Sequence, residues 1–150
     1  MKKNGFTVVE LVAAFALTMI ISIFLFEVLI DVKDIFIETS IKTNIEERLS
    51  IISKNIKYNV PEKGISSVTC DAKSCTITKD GTSKIITIEN DEVIIAGQHF
   101  KMPEDVTIKA KTINNKCVDS DCYINVKMTL TNENLSSDYE YNVLYYYTKN

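Results

Sequence analysis

The feature that most constrains this chain is an apolar run near its N-terminus, from Thr7 to Ile30. Glu10 and Glu27 are its only ionisable residues, and about 20 apolar residues are enough for a helix to cross the hydrocarbon core of a bilayer. The apolar part of an ordinary secretory signal peptide is shorter, about 7–15 residues, and ends at a small-residue cleavage site that is absent here. We therefore predict a membrane-spanning helix.

The residues before this run predict its orientation. Lys2 and Lys3 precede it, and basic residues favour the cytoplasmic side of a membrane. We expect a single pass through the cytoplasmic membrane, with the N-terminus in the cytoplasm and the rest of the chain outside.

Beyond the apolar run the helical pattern continues on one side only. The stripe consists of Val28, Val32, Ile35, Ile41, Ile45, Leu49, Ile52 and Ile56, at steps close to the helical period. Gly and Pro are absent between Gly5 and Pro61, and the Pro61 that follows Asn59 and Val60 predicts the stop. We predict one helix of about 50 residues, with a transmembrane half at 6–30 and a soluble amphipathic half at 31–60.

After Pro61 the apolar period changes from 3.6 to 2, which predicts a β-rich head over residues 61–150. The predicted strands are Ser67–Thr69, Thr76–Lys79, Lys84–Glu89, Glu92–Ala96, Val106–Ile113, Tyr123–Leu130 and Tyr139–Tyr147. Asp80-Gly81 and Asn90-Asp91 are turn signals between strands. We predict about four to seven strands in one antiparallel sheet, covered by the soluble stripe of the helix, an α+β fold.

Tyrosines dominate one face of the last predicted strand. They are Tyr139, Tyr141, Tyr145 and Tyr147, with Val143 between them. We expect this row to pack against strands or the helix, because a platform for single-stranded DNA would interleave aromatic residues with Lys or Arg. A formal net charge of −3 also gives no electrostatic case for general nucleic-acid binding.

Four cysteines form two pairs with the same spacing, Cys70 with Cys75 and Cys117 with Cys122. All lie in the part predicted to be outside the cell membrane, where disulfides persist. Of the three connectivities that four cysteines allow, we favour the two local bonds, each closing a turn. Two alternatives stay open, one Zn²⁺ held by all four thiolates and free thiols, although zinc sites usually have tighter spacing.

Catalytic motifs are absent from the sequence. It has no Gly-rich phosphate loop, metal-spaced Asp/His cluster or nucleophile elbow. The single histidine, His99, lies in the loop-like stretch Gly97–Phe100, and nothing in the sequence pairs it with a nucleophile. We predict no catalytic residue, no metal, no cofactor and no enzymatic activity.

Glu10 needs an explanation, because a charge in a bilayer is costly and usually functional. One interpretation is that Glu10 lies close enough to the cytoplasmic interface to reach water. The string KKNGFTVVEL, followed by the unbroken apolar run, also resembles the type IV pilin class of signal, which opens type IV pilins and the pseudopilins of secretion and DNA-uptake machines. In that family a short leader is cut after Gly, the new N-terminal Phe is methylated, and Glu is the fifth residue of the mature protein.

The resemblance maps these roles onto three residues. Residues 1–5 would be the leader, cleaved after Gly5 by a membrane peptidase, and Phe6 would become the N-methylated terminus. Glu10 would neutralise the Phe6 ammonium of a neighbouring subunit, turning two costly charges into a pair. The implied fold is pilin-like, a long N-terminal helix packed on an antiparallel sheet. The implied partners are other pilin or pseudopilin subunits, the prepilin peptidase and methylase, the inner-membrane assembly platform and membrane lipid.

One departure from the family pattern concerns Glu27. Many major pilins carry a proline at this position, so its absence favours a minor pilin or a pseudopilin. Glu27, Asp31, Asp34 and Glu38 form an acidic stripe at the predicted outer membrane surface, either a solvated face or a face toward basic groups of a partner.

The resemblance implies a subunit of an extracytoplasmic filament for DNA uptake, adhesion, motility or secretion, with DNA a partner only of the whole machine. The alternative is a monomeric, single-pass membrane-anchored protein whose outer β domain binds a ligand or surface.

Overall fold

The computed structural model describes residues 7–60 and 62–148. It has one helix, α1 (Val8–Asn59), followed by eight strands: β1 (Ser67–Cys70), β2 (Ser74–Lys79), β3 (Thr82–Glu89), β4 (Glu92–Ile95), β5 (Gln98–Lys101), β6 (Thr107–Val118), β7 (Asp121–Thr131) and β8 (Tyr139–Thr148). The chain divides into two compact units, the first ending at Thr39 and the second beginning at Ser40. The second unit contains the end of α1 and all eight strands, which confirms the predicted α+β class.

Helix α1 ends where the sequence predicts. Its last residue is Asn59, and the Val60 N–H still donates to the Ile56 carbonyl at 2.8 Å. The Asn59 side chain donates back to the Asn55 carbonyl at 2.8 Å, so a polar residue satisfies one carbonyl of the last turn. Pro61, the predicted breaker, lies outside the described residues.

Strands β1 to β5 form one antiparallel sheet in chain order. Two-residue turns join β2 to β3 at Asp80-Gly81 and β4 to β5 at Ala96-Gly97, and all four of these residues have positive φ. Both central residues of a type I′ hairpin turn require that conformation, and Gly adopts it without steric cost. The predicted Asn90-Asp91 turn is confirmed between the paired residues Glu89 and Glu92.

The prediction of a single sheet is wrong, because β6, β7 and β8 form a second antiparallel sheet of three strands. The break falls after β5, where Pro103 has no N–H to continue a ladder. The Val106 N–H donates to the Pro103 carbonyl at 3.2 Å, and this turn redirects the chain before β6 starts.

The predicted strand count is also too low. The sequence predicts a loop at Gly97–Phe100, but Gln98–Lys101 is β5, paired with β4. Only Phe100 in this strand is apolar and partly buried, so the sequence carries no alternating pattern to reveal it.

One core joins the helix and both sheets within the second unit. Helix α1 contributes Ile45, Leu49, Ile52 and Ile56. The five-stranded sheet contributes Cys75, Ile77, Ile86, Ile88, Val93 and Ile95, and the three-stranded sheet Ile113, Cys122, Ile124, Val126, Met128, Leu130, Tyr145 and Tyr147. The amphipathic stripe of the helix is therefore buried from Ile45 onward, as its period predicts.

The tyrosine row of β8 faces this core, which confirms the packing interpretation. The Tyr145 hydroxyl donates to Ser53 Oγ of α1 at 3.1 Å and lies 2.9 Å from the Tyr141 hydroxyl. Tyr147 donates to Asn115 Oδ1 at 2.8 Å. Burial raises the pKa of Tyr145 and of Tyr147 above the usual tyrosine range, so both hydroxyls stay protonated donors. The Tyr145 bond ties the last strand to the helix, and the Tyr147 bond ties it to β6.

Candidate assembly site on the helix

A capping box forms the start of α1. The Thr7 N–H donates to Glu10 Oε2 at 2.8 Å, and the Thr7 hydroxyl donates to the same oxygen at 2.9 Å. In return the Glu10 N–H lies 3.3 Å from Thr7 Oγ1. Thr at the cap and Glu three residues later satisfy backbone donors that a helix N-terminus leaves unpaired.

This cap gives Glu10 a contact that the sequence interpretation missed. The Thr-x-x-Glu spacing is itself a capping signature, so the signal was present in residues 7–10. Glu10 remains exposed in the chain, and its carboxylate is held close to the end of the helix. Gly5 and Phe6, the predicted cleavage and methylation positions, lie outside the described residues, as do Lys2 and Lys3.

Beyond the cap the helix surface is apolar all round. The exposed large apolar side chains include Val9, Val12, Phe15, Leu17, Ile20, Ile23, Phe24, Phe26, Leu29 and Ile30, each more than half accessible. The polar hydroxyls of this stretch are satisfied inside the helix, because Thr18 donates to the Ala14 carbonyl and Ser22 to the Thr18 carbonyl, both at 2.8 Å. The helix is long and apolar enough to span a membrane once.

The acidic stripe follows the apolar surface along the helix. Glu27, Asp31 and Asp34 are exposed, and Glu38 is half-buried. No break in α1 occurs at Glu27, where many major pilins have a proline. What this stripe faces in an assembly stays a prediction.

Both favoured disulfides are present. Cys70 bonds Cys75 and Cys117 bonds Cys122, and the two bonds account for all four cysteines. Each pair is directly opposed in a hairpin, β1–β2 or β6–β7. The thiolates needed for the zinc alternative are therefore consumed.

The turn inside the first disulfide is organised by Asp71. Its Oδ1 accepts from the Lys73 N–H at 2.8 Å and from the Ser74 N–H at 2.7 Å. These two backbone donors hold the pKa of the Asp71 carboxyl below its usual range, because they favour the ionised form.

His99 lies in strand β5 and not in a loop. Its Nδ1 is 3.1 Å from Glu92 Oε1 on the neighbouring strand, and the side chain is 58% exposed. Across residues 7–60 and 62–148, no group of three or more His, Cys, Asp or Glu side chains is arranged to hold a metal ion.

Comparison of the chain with protein-family models, with curated proteins and with solved structures finds no match. The molecule has a long apolar N-terminal helix followed in the chain by two antiparallel sheets. The apolar helix surface and the capped Glu10 are both accessible in the described chain.

Proposed function

We propose that this protein is a structural subunit, of the minor class, of a type IV pilus-like or pseudopilus filament. The observation that carries the proposal is the surface of α1 in the first unit. Apolar side chains cover it on every side, and none of the described residues buries them. Lipid covers such a surface before assembly, and the same surface can pack against the helices of other subunits afterwards.

The motif at the start of this helix supports the same proposal. The peptide bond between Gly5 and Phe6 is hydrolysed on the cytoplasmic side, which releases the five-residue leader and leaves an ammonium on Phe6. The methylase then transfers one methyl group from an electrophilic methyl donor to that nitrogen, which gives up a proton. Glu10 pairs with the Phe6 ammonium of a neighbouring subunit, and the cap bonds from Thr7 orient its carboxylate.

Two further features fit an extracytoplasmic subunit. Disulfides at both hairpins require an oxidising compartment, which is outside the cytoplasmic membrane. The uninterrupted helix through Glu27 lacks the proline of many major pilins, which favours a minor subunit or pseudopilin. DNA uptake, adhesion, motility and secretion are all compatible with this role.

The first test is the substitution Gly5→Leu in cells that contain a prepilin peptidase. We expect the unsubstituted protein to lose the mass of residues 1–5 and gain one methyl group, whereas Gly5→Leu keeps the full mass. Asn4→Ala is the matched control in the leader and should be processed normally. An unsubstituted protein that keeps its leader in these cells would contradict the filament proposal and favour the monomeric anchor.

The second test separates the cap from the intersubunit pair. Glu10→Gln keeps an acceptor for Thr7 but removes the charge, and Thr7→Val removes the hydroxyl but keeps the charge. We expect Glu10→Gln to insert in the membrane and be cleaved but to be missing from sheared filaments. Thr7→Val should be incorporated, at a reduced level. Normal incorporation of Glu10→Gln would rule out the charge pair.

A further inference from the structure

The side of the three-stranded sheet away from the core carries a set of side chains with no assigned role. These outer-face residues lie in three cross-strand rows: Lys116, Tyr123 and Tyr146; Asn114, Asn125 and Leu144; Thr112, Lys127 and Asn142. They alternate along each strand with the buried core residues. We call this surface the outer face.

Two tyrosines form its aromatic part. The rings of Tyr123 and Tyr146 are 6.0 Å apart and tilted by 57°, and Tyr146 is 67% exposed. Leu144, in the next row, is 41% exposed. In contrast to Tyr145 and Tyr147 on the opposite side of the same strand, Tyr146 presents an amphipathic ring to solvent.

The centre of the outer face contains an unmet hydrogen-bonding group. The Asn125 Oδ1 atom is shielded from solvent and accepts no hydrogen bond from the described residues. A shielded acceptor without a donor destabilises a folded protein, and native structures contain few of them. Asn114 on β6 and the exposed Leu144 on β8 lie directly beside it. A ligand donor can bond to this atom only if the Asn125 side chain turns outward, and such a bond would remove a cost that the free protein carries.

The outer face is also locally basic, although the whole chain has a net charge of −3. Lys116 and Lys127 lie within the three rows, and no ion pair to either lysine is found among the described residues. The acids on this side, Asp121 and Glu140, lie beyond the rows at the two ends. The charge is complementary to a ligand with carboxylate or other acidic groups.

From these features we infer that the outer face binds an acidic oligosaccharide. The tyrosine rings contact the apolar faces of sugar rings, and the asparagine amides offer both donors and acceptors to hydroxyl or acetamide groups. Lys116 and Lys127 bind the acidic groups. Rows two residues apart are separated by about 6.8 Å, so a ligand in contact with all three rows spans about 14 Å. That length requires an oligosaccharide and not a single sugar.

The composition disfavours two other occupants. Lysine is depleted in protein–protein interfaces, and two lysines lie within these three rows. A nucleic acid would be held mainly by phosphate contacts, which need more cationic side chains than two. The inference does not rest on filament assembly, because it concerns only the body of the protein.

The test uses the full chain in a detergent without a sugar headgroup and two defined probes. One is a hyaluronan hexasaccharide, which alternates glucuronate with N-acetylglucosamine, and the other is a neutral chitin hexasaccharide. Isothermal titration calorimetry should show saturable binding of both, with the neutral probe about fivefold weaker. Added salt should weaken only the acidic probe.

Matched variants locate the site. Tyr146→Ala should lower the affinity for both probes by about tenfold, whereas Tyr58→Ala, an exposed tyrosine at the end of α1, should leave both unchanged. Lys127→Gln should weaken the acidic probe and leave the neutral one unchanged, because Lys116 still binds an acidic group, and Lys101→Gln on β5 should have no effect on either probe.

The variant Asn125→Leu distinguishes a role of Asn125 in ligand binding from a role in folding alone. Replacing the unpaired amide with an apolar side chain of similar size should raise the Tm by a few degrees and at the same time weaken both probes. A higher Tm with unchanged affinity would remove Asn125 from the site.

Three outcomes would overturn the inference. They are no saturable binding of either sugar, binding of inorganic polyphosphate as tight as that of hyaluronan, and equal losses in Tyr146→Ala and Tyr58→Ala. If the protein self-associates without sugar and Tyr146→Ala abolishes that self-association, the outer face instead binds a second copy of this chain. None of these measurements uses the peptidase or the filament, so failure here leaves the proposed function standing.

Discussion

The two parts of helix α1 have the same backbone structure but opposite surroundings. In the first unit, apolar side chains such as Phe15, Ile20 and Phe24 are exposed on all sides. In the second unit, Ile45, Leu49 and Ile52 are buried, whereas Glu46, Glu47 and Ser50 between them are exposed. Both parts are helical. They differ in where apolar residues lie around the helix axis, which is on all sides in the first part and along one side in the second.

This difference shows where each part obtains its stability. The second part is covered by strands of its own chain, so its packing contributes to the folding of a single molecule. The first part has no cover among the described residues, and the proposed function assigns that cover to lipid or another subunit. Substitutions in the second part should therefore change the free energy of unfolding, whereas substitutions in the first should change insertion or assembly.

The largest expected difference comes from one truncation made in each part. Ile52→Ala should lower the free energy of unfolding of the body by about 3–4 kcal/mol, because it removes buried contacts and leaves a cavity. Ile20→Ala should change it by less than about 0.5 kcal/mol, since that side chain is exposed. Chemical denaturation of the full chain in detergent, followed by tyrosine fluorescence, measures both. Equal losses of unfolding free energy in Ile52→Ala and Ile20→Ala would contradict the difference between the two parts of α1.

Removing the disulfides should have the next largest effect, again confined to the body. In the chain-entropy model a loop this short contributes about 2 kcal/mol, so Cys70→Ala with Cys75→Ala should lower the free energy of unfolding by that amount. Cys117→Ala with Cys122→Ala should do the same. Far-ultraviolet circular dichroism should retain the helical signal of the first part of α1 after the body has unfolded. If the helix and sheet signals are lost together in one transition, the two parts unfold as one unit, contrary to this prediction.

A feature of this fold can be predicted from the sequence when its signal lies in residues that are close together along the chain. The helix, its end at Asn59 and the buried stripe from Ile45 follow from period and a proline, which are local. The tyrosine face of β8 follows from alternation. The paired cysteines were predictable because each bond closes a hairpin a few residues long.

The division into two sheets was not predictable, because it depends on which distant strands pair. Strand β5 has a single apolar residue, Phe100, and its pairing is set by the preceding turn. The Asn125 acceptor likewise becomes visible only when β6 and β8 are placed beside β7. Only the contact between Thr7 and Glu10 carried a sequence signature that the interpretation overlooked.

A smaller expected effect compares the two sides of strand β8. Tyr145→Phe removes a buried hydroxyl that bonds Ser53 and Tyr141, and should cost about 1 kcal/mol of unfolding free energy. Tyr146→Phe removes an exposed hydroxyl and should cost close to nothing. The same denaturation measurement checks both. A Tyr146 effect as large as that of Tyr145 would contradict the assignment of inner and outer sides.

The smallest expected effect is an acid dependence confined to the body. The pKa of Asp71 is lower in the folded state than its ordinary value of 3.8, because two backbone N–H groups stabilise the carboxylate. The contribution of this group to stability is therefore present above the unfolded pKa and is lost as the pH falls through the lower, folded pKa. Asp71→Asn should reduce the fall in the Tm of the body over that acidic window. The helical signal of the first part of α1 should stay constant in both proteins. Because Asp71 is exposed, the reduction should be small, and Asp119→Asn, in the corresponding hairpin of the other sheet, is the matched control. An unchanged acid profile in Asp71→Asn would show that the two backbone bonds do not hold this carboxylate.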